Sequence, residues 1–87
     1  MPNELHKLRN QIDQIDTELL SILTERFRIA TELAATKKKL HLPAKDLRRK
    51  EQVAERWRKI AATKNLDSEF ISQLYELIHD ETLRKQS

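Results

Sequence analysis

The sequence predicts an all-α fold, three helices per chain with one long and two shorter, and three observations carry the prediction. From Leu5 to Lys39 there is no Gly and no Pro, and apolar side chains recur at helical spacing. Stop signals around Pro43 and at Asn65-Leu66 divide the rest into two further segments, each with its own three-four apolar stripe. No stretch alternates with the period of two that marks a strand, and there is no internal repeat or low-complexity tract.

In the first helix Leu5, Leu8, Ile12, Ile15, Leu19 and Ile22 step by three and four, and the stripe continues through Ile29 and Leu33. The helix should end near Leu40, after Lys37-Lys38-Lys39, whose charges suit a helix carboxyl terminus. His41 to Lys45 is a short connection containing Pro43. Asp46 is a good N-cap for a second helix running to about Lys64, with Val53, Trp57, Ile60 and Ala61 on its apolar face. After the tight link at Asn65-Leu66, Asp67 caps a third helix, and Glu69 is well placed in its first turn. Phe70, Ile71, Leu74, Leu77, Ile78 and Thr82 mark its expected buried face.

Length gives the first functional clue. Leu5 to Lys39 is 35 residues, a rod of roughly 50 Å at ~1.5 Å per residue, whereas a compact monomer of this size measures about 30 Å across. A three-helix monomer would leave much of the stripe in water. The long helix is therefore expected to be shared with a second copy of the chain, and the functional surface with it.

At 87 residues the chain is expected to form one small domain, residues 1–87. It has no cysteine, hence neither a disulfide framework nor a thiolate metal site. The complete lack of glycine excludes a P-loop and a dinucleotide fingerprint. His6, His41 and His79 lie on different elements with no metal-ligand spacing, and no nucleophile–base arrangement stands out. Neither a leader pattern at Met1-Pro2-Asn3-Glu4 nor a membrane-length apolar run is present, so a soluble cytoplasmic protein is expected. Net charge is +3, with 17 basic and 14 acidic side chains interspersed. Such moderate basicity suits an anionic small molecule as well as a phosphate backbone.

The apolar stripe also carries cations. Four residues on from Ile22 is Arg26, and eleven further is Lys37, which returns to nearly the same face. Both side chains therefore point inward, either snorkelling with stems on the core and heads in water or meeting a ligand. Arg9 lies seventeen residues before Arg26, roughly 25 Å along the axis, and cannot join them from the same chain.

The arrangement resembles the all-helical class of chorismate mutases from about Leu8 to Gln86 without a gap. The residues carrying the likeness are Leu8-Arg9, Ile12-Asp13, Ile15-Asp16, Leu19-Leu20, Leu23, Glu25-Arg26, Lys37, Pro43, Asp46, Arg49, Leu66-Asp67, Phe70, Ile78, Thr82 and Gln86. The joint spacing of two arginines, a lysine, the proline-aspartate-arginine cluster and a terminal glutamine is the specific part, and it favours the ligand over snorkelling. The resemblance implies an intertwined homodimeric helical bundle with two sites, each taking residues from both long helices. It implies conversion of chorismate to prephenate by a Claisen rearrangement, with no cofactor and no proton transfer.

By the same resemblance Arg26 and Arg9 bind the substrate carboxylates, Arg9 coming from the partner chain, and Arg49 lines the cavity. Lys37 and Gln86 face the ether oxygen on which charge develops. Thr82 stands where a serine is common and keeps a hydroxyl for a carboxylate, while Asp46 lies near the ring hydroxyl and can also serve as a helix cap. Asp13 and Asp16 are expected to be helix-surface or dimer-contact charges. One position departs from the pattern: Lys50 occupies the place of the usual glutamate that accepts a bond from the ring hydroxyl. Glu51, turned about 100° away, is no substitute. Lysine donates but cannot accept, so a reduced rate or altered ring preference is expected.

Three competing readings remain at this level. An isochorismate pyruvate-lyase shares the scaffold and uses a lysine beside the breaking ether bond. A low-activity regulatory or structural relative would also tolerate Lys50. A nucleic-acid-binding module would use Lys37 to Lys39 and Arg48 to Lys50, but Phe27, Trp57, Phe70 and Tyr75 are the only aromatics besides histidine and mostly fall on core faces.

Overall fold

The computed structural model describes residues 3–86, with the Gln86 side chain outside that description. Three helices follow in order: α1 Asn3–Lys39, α2 Leu47–Thr63 and α3 Ser68–Gln86. Every regular element among the described residues is helical. None of the helices is long and apolar enough to cross a membrane.

The ends of the helices follow from local chemistry. Asp46 is extended at φ −135° and ψ 93°, and its Oδ1 accepts from the Arg49 N–H at 3.1 Å, capping α2. Asp67 Oδ2 accepts from the Phe70 N–H at 2.8 Å and caps α3 in the same way. At the other ends the chain needs left-handed residues and has no glycine to supply them. His41 and Asn65 take that conformation, both at φ 58°. Beyond His41, the Leu42 N–H reaches back to the Lys37 carbonyl at 2.8 Å, and the His41 N–H to Lys38 at 3.1 Å. This pair of bonds is a Schellman motif and terminates α1. Past Asn65, the Leu66 N–H bonds the Ala61 carbonyl at 2.9 Å.

Helix α3 packs against both α1 and α2, which do not pack on each other among the described residues. The small core comprises Ala30, Ala61, Ile71 and Tyr75. Two residues expected on the buried face of α3 are not buried within the single chain: Phe70 is 55% exposed and Leu77 69%. They sit seven apart on one row, and the row covered by α1 and α2 runs instead through Ile71 and Tyr75.

The chain is elongated, 61 × 25 × 17 Å, with a radius of gyration of 16.8 Å, against about 12 Å for a compact chain of this length. Its accessible surface is 7621 Å², where a compact monomer of this mass exposes about 5,400 Å². The amino-terminal part of α1 contributes to the surplus. There Leu5, Leu8, Ile12, Ile15, Leu19 and Ile22 are each 47–68% exposed.

Candidate active site

One face of α1 presents Arg26, Ile29, Ala30, Leu33 and Lys37 in three-four steps to a cavity of about 500 Å³. The connection contributes Ala44 to Asp46, α2 adds Arg49, Lys50 and Val53, and α3 closes the far side with Tyr75, His79 and Thr82. Aliphatic residues thus make part of the wall, and cations from two helices surround them. A space of this size, largely apolar with convergent charges, suits a small anion.

Three of the lining cations, Arg26, Lys37 and Lys50, have a support. The Arg26 guanidinium lies over the Trp57 ring at 5.7 Å, and its Nη1 donates to Thr82 Oγ1 at 3.5 Å. The Thr82 hydroxyl donates in turn to the Ile78 carbonyl at 2.8 Å. Its proton is thereby engaged, so in this arrangement Thr82 acts as an acceptor that steadies Arg26. Lys37 Nζ donates to the Ala44 carbonyl at 3.1 Å, which ties the connection to α1 and leaves two ammonium protons for a ligand. Lys50 Nζ lies 3.3 Å from Glu76 Oε2 on α3.

Behind these groups stands an aromatic column. Trp57 meets Tyr75 edge-on with centroids 5.1 Å apart, and Tyr75 stacks on His79 at 5.6 Å. The Tyr75 hydroxyl donates to the Lys50 carbonyl at 3.4 Å. Burial pushes the Tyr75 phenol above its ordinary range, with Arg26 and Lys50 pulling the other way. Burial, aided by the Lys50 charge, pushes His79 below its usual range. At neutral pH His79 is therefore an uncharged ring.

The structure brings Arg26, Lys37, Asp46, Arg49, Lys50 and Thr82 to one cavity. Arg9 is not brought there: it is exposed on the distant part of α1. Gln86 is the last residue of α3, and its side chain lies outside the described residues. Tyr75, His79 and the Lys50–Glu76 pair were not singled out as site residues from the sequence. The signal for the first two was the four-residue step from Ile71 to Tyr75 to His79, which tracks one side of α3.

Fold and site together define an all-helical protein with a small cation-walled chamber. Residues 8–87 match the family described as Chorismate mutase type II, and the chain belongs to that family, whose named activity is that of an isomerase. The chorismate mutase of Methanocaldococcus jannaschii is 30% identical over 88 residues, covering 99% of this chain and 89% of that protein. The bifunctional chorismate mutase/prephenate dehydratase of Escherichia coli K12 is 32% identical over 84 residues, and the match spans only 22% of that protein's length. A 4-amino-4-deoxychorismate mutase of Streptomyces venezuelae is 32% identical over 82 residues, covering 94% of this chain and 80% of that protein.

Proposed function

We propose that the chain is a chorismate mutase acting as a homodimer of intertwined three-helix chains, residues 1–87 forming one such domain in the cytoplasm. The observation that carries the reading is the meeting of Arg26 and Lys37, eleven residues apart on α1, with Arg49 from α2 at one cavity. A dianion that rearranges without a proton transfer needs that set of groups. Cofactor, nucleic-acid and membrane roles do not enter this reading.

Chorismate carries two carboxylates, and a planar guanidinium grips a carboxylate through two parallel bonds. Arg26, steadied by Thr82 and Trp57, takes one carboxylate, and Arg9 of the partner chain takes the other. Arg49 adds positive charge on the same wall. Held this way, the enolpyruvyl arm lies over the ring in a reactive geometry, which removes much of the entropic barrier. As the C–O bond breaks and the C–C bond forms, negative charge grows on the ether oxygen. Lys37 is the fixed donor for that charge and Gln86 the second, and donors in place before the reaction lower the transition state more than the ground state. Asp46, bound to the α2 amino terminus, lies on the side of the ring hydroxyl.

Dimerisation is supported by the exposed stripe on α1 and by the surplus of roughly 2,200 Å² over a compact monomer. An area of that order per chain is what an obligate apolar interface buries. The Streptomyces relative, named for an amino substrate, raises the question of which ring substituent the cavity takes, and Lys50 bears directly on it.

The test is consumption of chorismate followed by absorbance, with product identified as prephenate. Lys37→Ala should lower turnover by about 10²–10³-fold, the usual effect of losing one such donor. An unchanged rate, or release of pyruvate instead of prephenate, would sink the reading.

A further inference from the structure

We propose that His79 is a proton-linked binding residue of the cavity: a dianion entering the chamber draws a proton onto the His79 ring, so that dianion and proton bind cooperatively. The inference rests on the reading of the cavity as a site for a chorismate-type dianion and adds a regulation of that site by pH.

His79 lines the cavity from α3, partly buried, and the rearrangement makes no use of it. Its ring stacks on Tyr75 at 5.6 Å with the planes 24° apart, so a charged imidazolium has an aromatic face to rest on. Glu76 and Asp80 flank it on its own helix and favour the charged form. The other charged groups on the lining are Arg26 and Lys37 of α1, Lys45 and Asp46 of the connection, and Arg49 and Lys50 of α2. Among the described residues the wall thus carries five cations against two carboxylates, Asp46 and Asp80, an excess of three. Burial, then the charge of Lys50, keeps the ring neutral.

A ligand with two negative charges cancels most of that excess. A chamber of about 500 Å³ is on the order of 10 Å across, close to one Debye length, so both charges act on the ring wherever in it the ligand sits. Filling the chamber also strips water from His79, which opposes the charged form. The ring is already partly desolvated, so that further cost is small beside two new charges in a site screened less than bulk water. The attraction wins. The proton comes from the buffer and stays on the ring, and the rearrangement itself moves none. Linkage makes the effect reciprocal: protonation of His79 strengthens dianion binding by the factor with which the dianion strengthens proton binding.

The experiment titrates prephenate, the product dianion of the proposed reaction, into the full chain by calorimetry at one ionic strength. The series runs from about pH 6 to about pH 8, where histidine titrates, in two buffers of different ionisation enthalpy. Wild type should bind about five- to tenfold more tightly at the acid end and take up protons from the buffer. The NMR ring signals of His79, told from those of His6 and His41 by single glutamine variants, should reach the protonated position at higher pH with prephenate present. His79→Gln should bind with a profile flat to within about twofold and with no proton uptake. A residue that only packs against Tyr75 would change the melting temperature and leave the pH slope in place, and that result would overturn the proposal. So would a flat profile in wild type, or proton uptake that survives in His79→Gln. Should that variant not fold, the wild-type His79 signals decide alone. Prephenate that binds at no pH removes the underlying reading, whereas binding without a proton on His79 removes only this inference.

Discussion

The Arg26 guanidinium rests on the face of Trp57, 5.7 Å from the ring centre, so a residue of α2 orients the central cation of α1 although those two helices do not pack together. The contact is part-buried, where a cation over an aromatic face contributes on the order of 1 kcal/mol. Trp57 also meets Tyr75 edge-on, so it links the cation to the core. Trp57→Leu should lower kcat/KM for chorismate about five- to tenfold by loosening Arg26, and Trp57→Phe should recover most of the loss. Steady-state kinetics on the three proteins checks this.

The proposed division of labour between Arg9 and Arg26 across a dimer can be tested with mixed dimers. Arg9→Ala and Arg26→Ala should each be nearly inactive alone. Mixed at equal amounts, unfolded and refolded together, they should regain about a quarter of wild-type activity, because half the dimers are mixed and each has one intact site of two. No recovery on mixing would place both arginines in the same chain's site or neither in any.

Ile15 and Leu19 stand on the exposed stripe of α1 at 60% exposure each. A charge introduced there should split the proposed dimer and abolish activity while helical circular dichroism partly survives. Sedimentation of Ile15→Lys should report a monomer, and sedimentation of wild type a dimer.

His41 sits at φ 58° because the turn after α1 requires a left-handed residue. A side chain with a Cβ costs roughly 1 kcal/mol in that conformation. His41→Gly should raise the thermal midpoint by about 4–8 °C at fixed protein concentration. Asn65→Gly should gain less, since asparagine tolerates the left-handed region better than histidine.

His79 gives the protein an acid-side sensitivity. Burial, with the Lys50 charge beside it, depresses its pKa below the ordinary value of 6.5. The unfolded chain therefore binds its proton first as pH falls, and stability declines from about pH 6.5 downward until the folded ring also titrates. Above that range both states carry a neutral ring and the contribution vanishes. Denaturant midpoints should fall between about pH 7.5 and pH 5.5, and His79→Gln should flatten part of that slope.

How much of this could be read in advance depended on the range of the interaction. The sequence by itself determined the three helices, their caps at Asp46 and Asp67, and the alignment of Arg26 with Lys37. All of these follow from hydrogen bonds and periodicity within a few turns of one helix. Only the tertiary structure decided which row of α3 is covered, leaving Phe70 and Leu77 exposed while Tyr75 and His79 back the cavity. It also decided that Thr82 accepts from Arg26 fifty-six residues before it, and that Lys50 finds Glu76 twenty-six residues on. Two apolar rows on one helix have equal claims until a neighbour packs on one of them. The reach between α2 and α3 depends on how the helices cross, and no spacing along either helix encodes that.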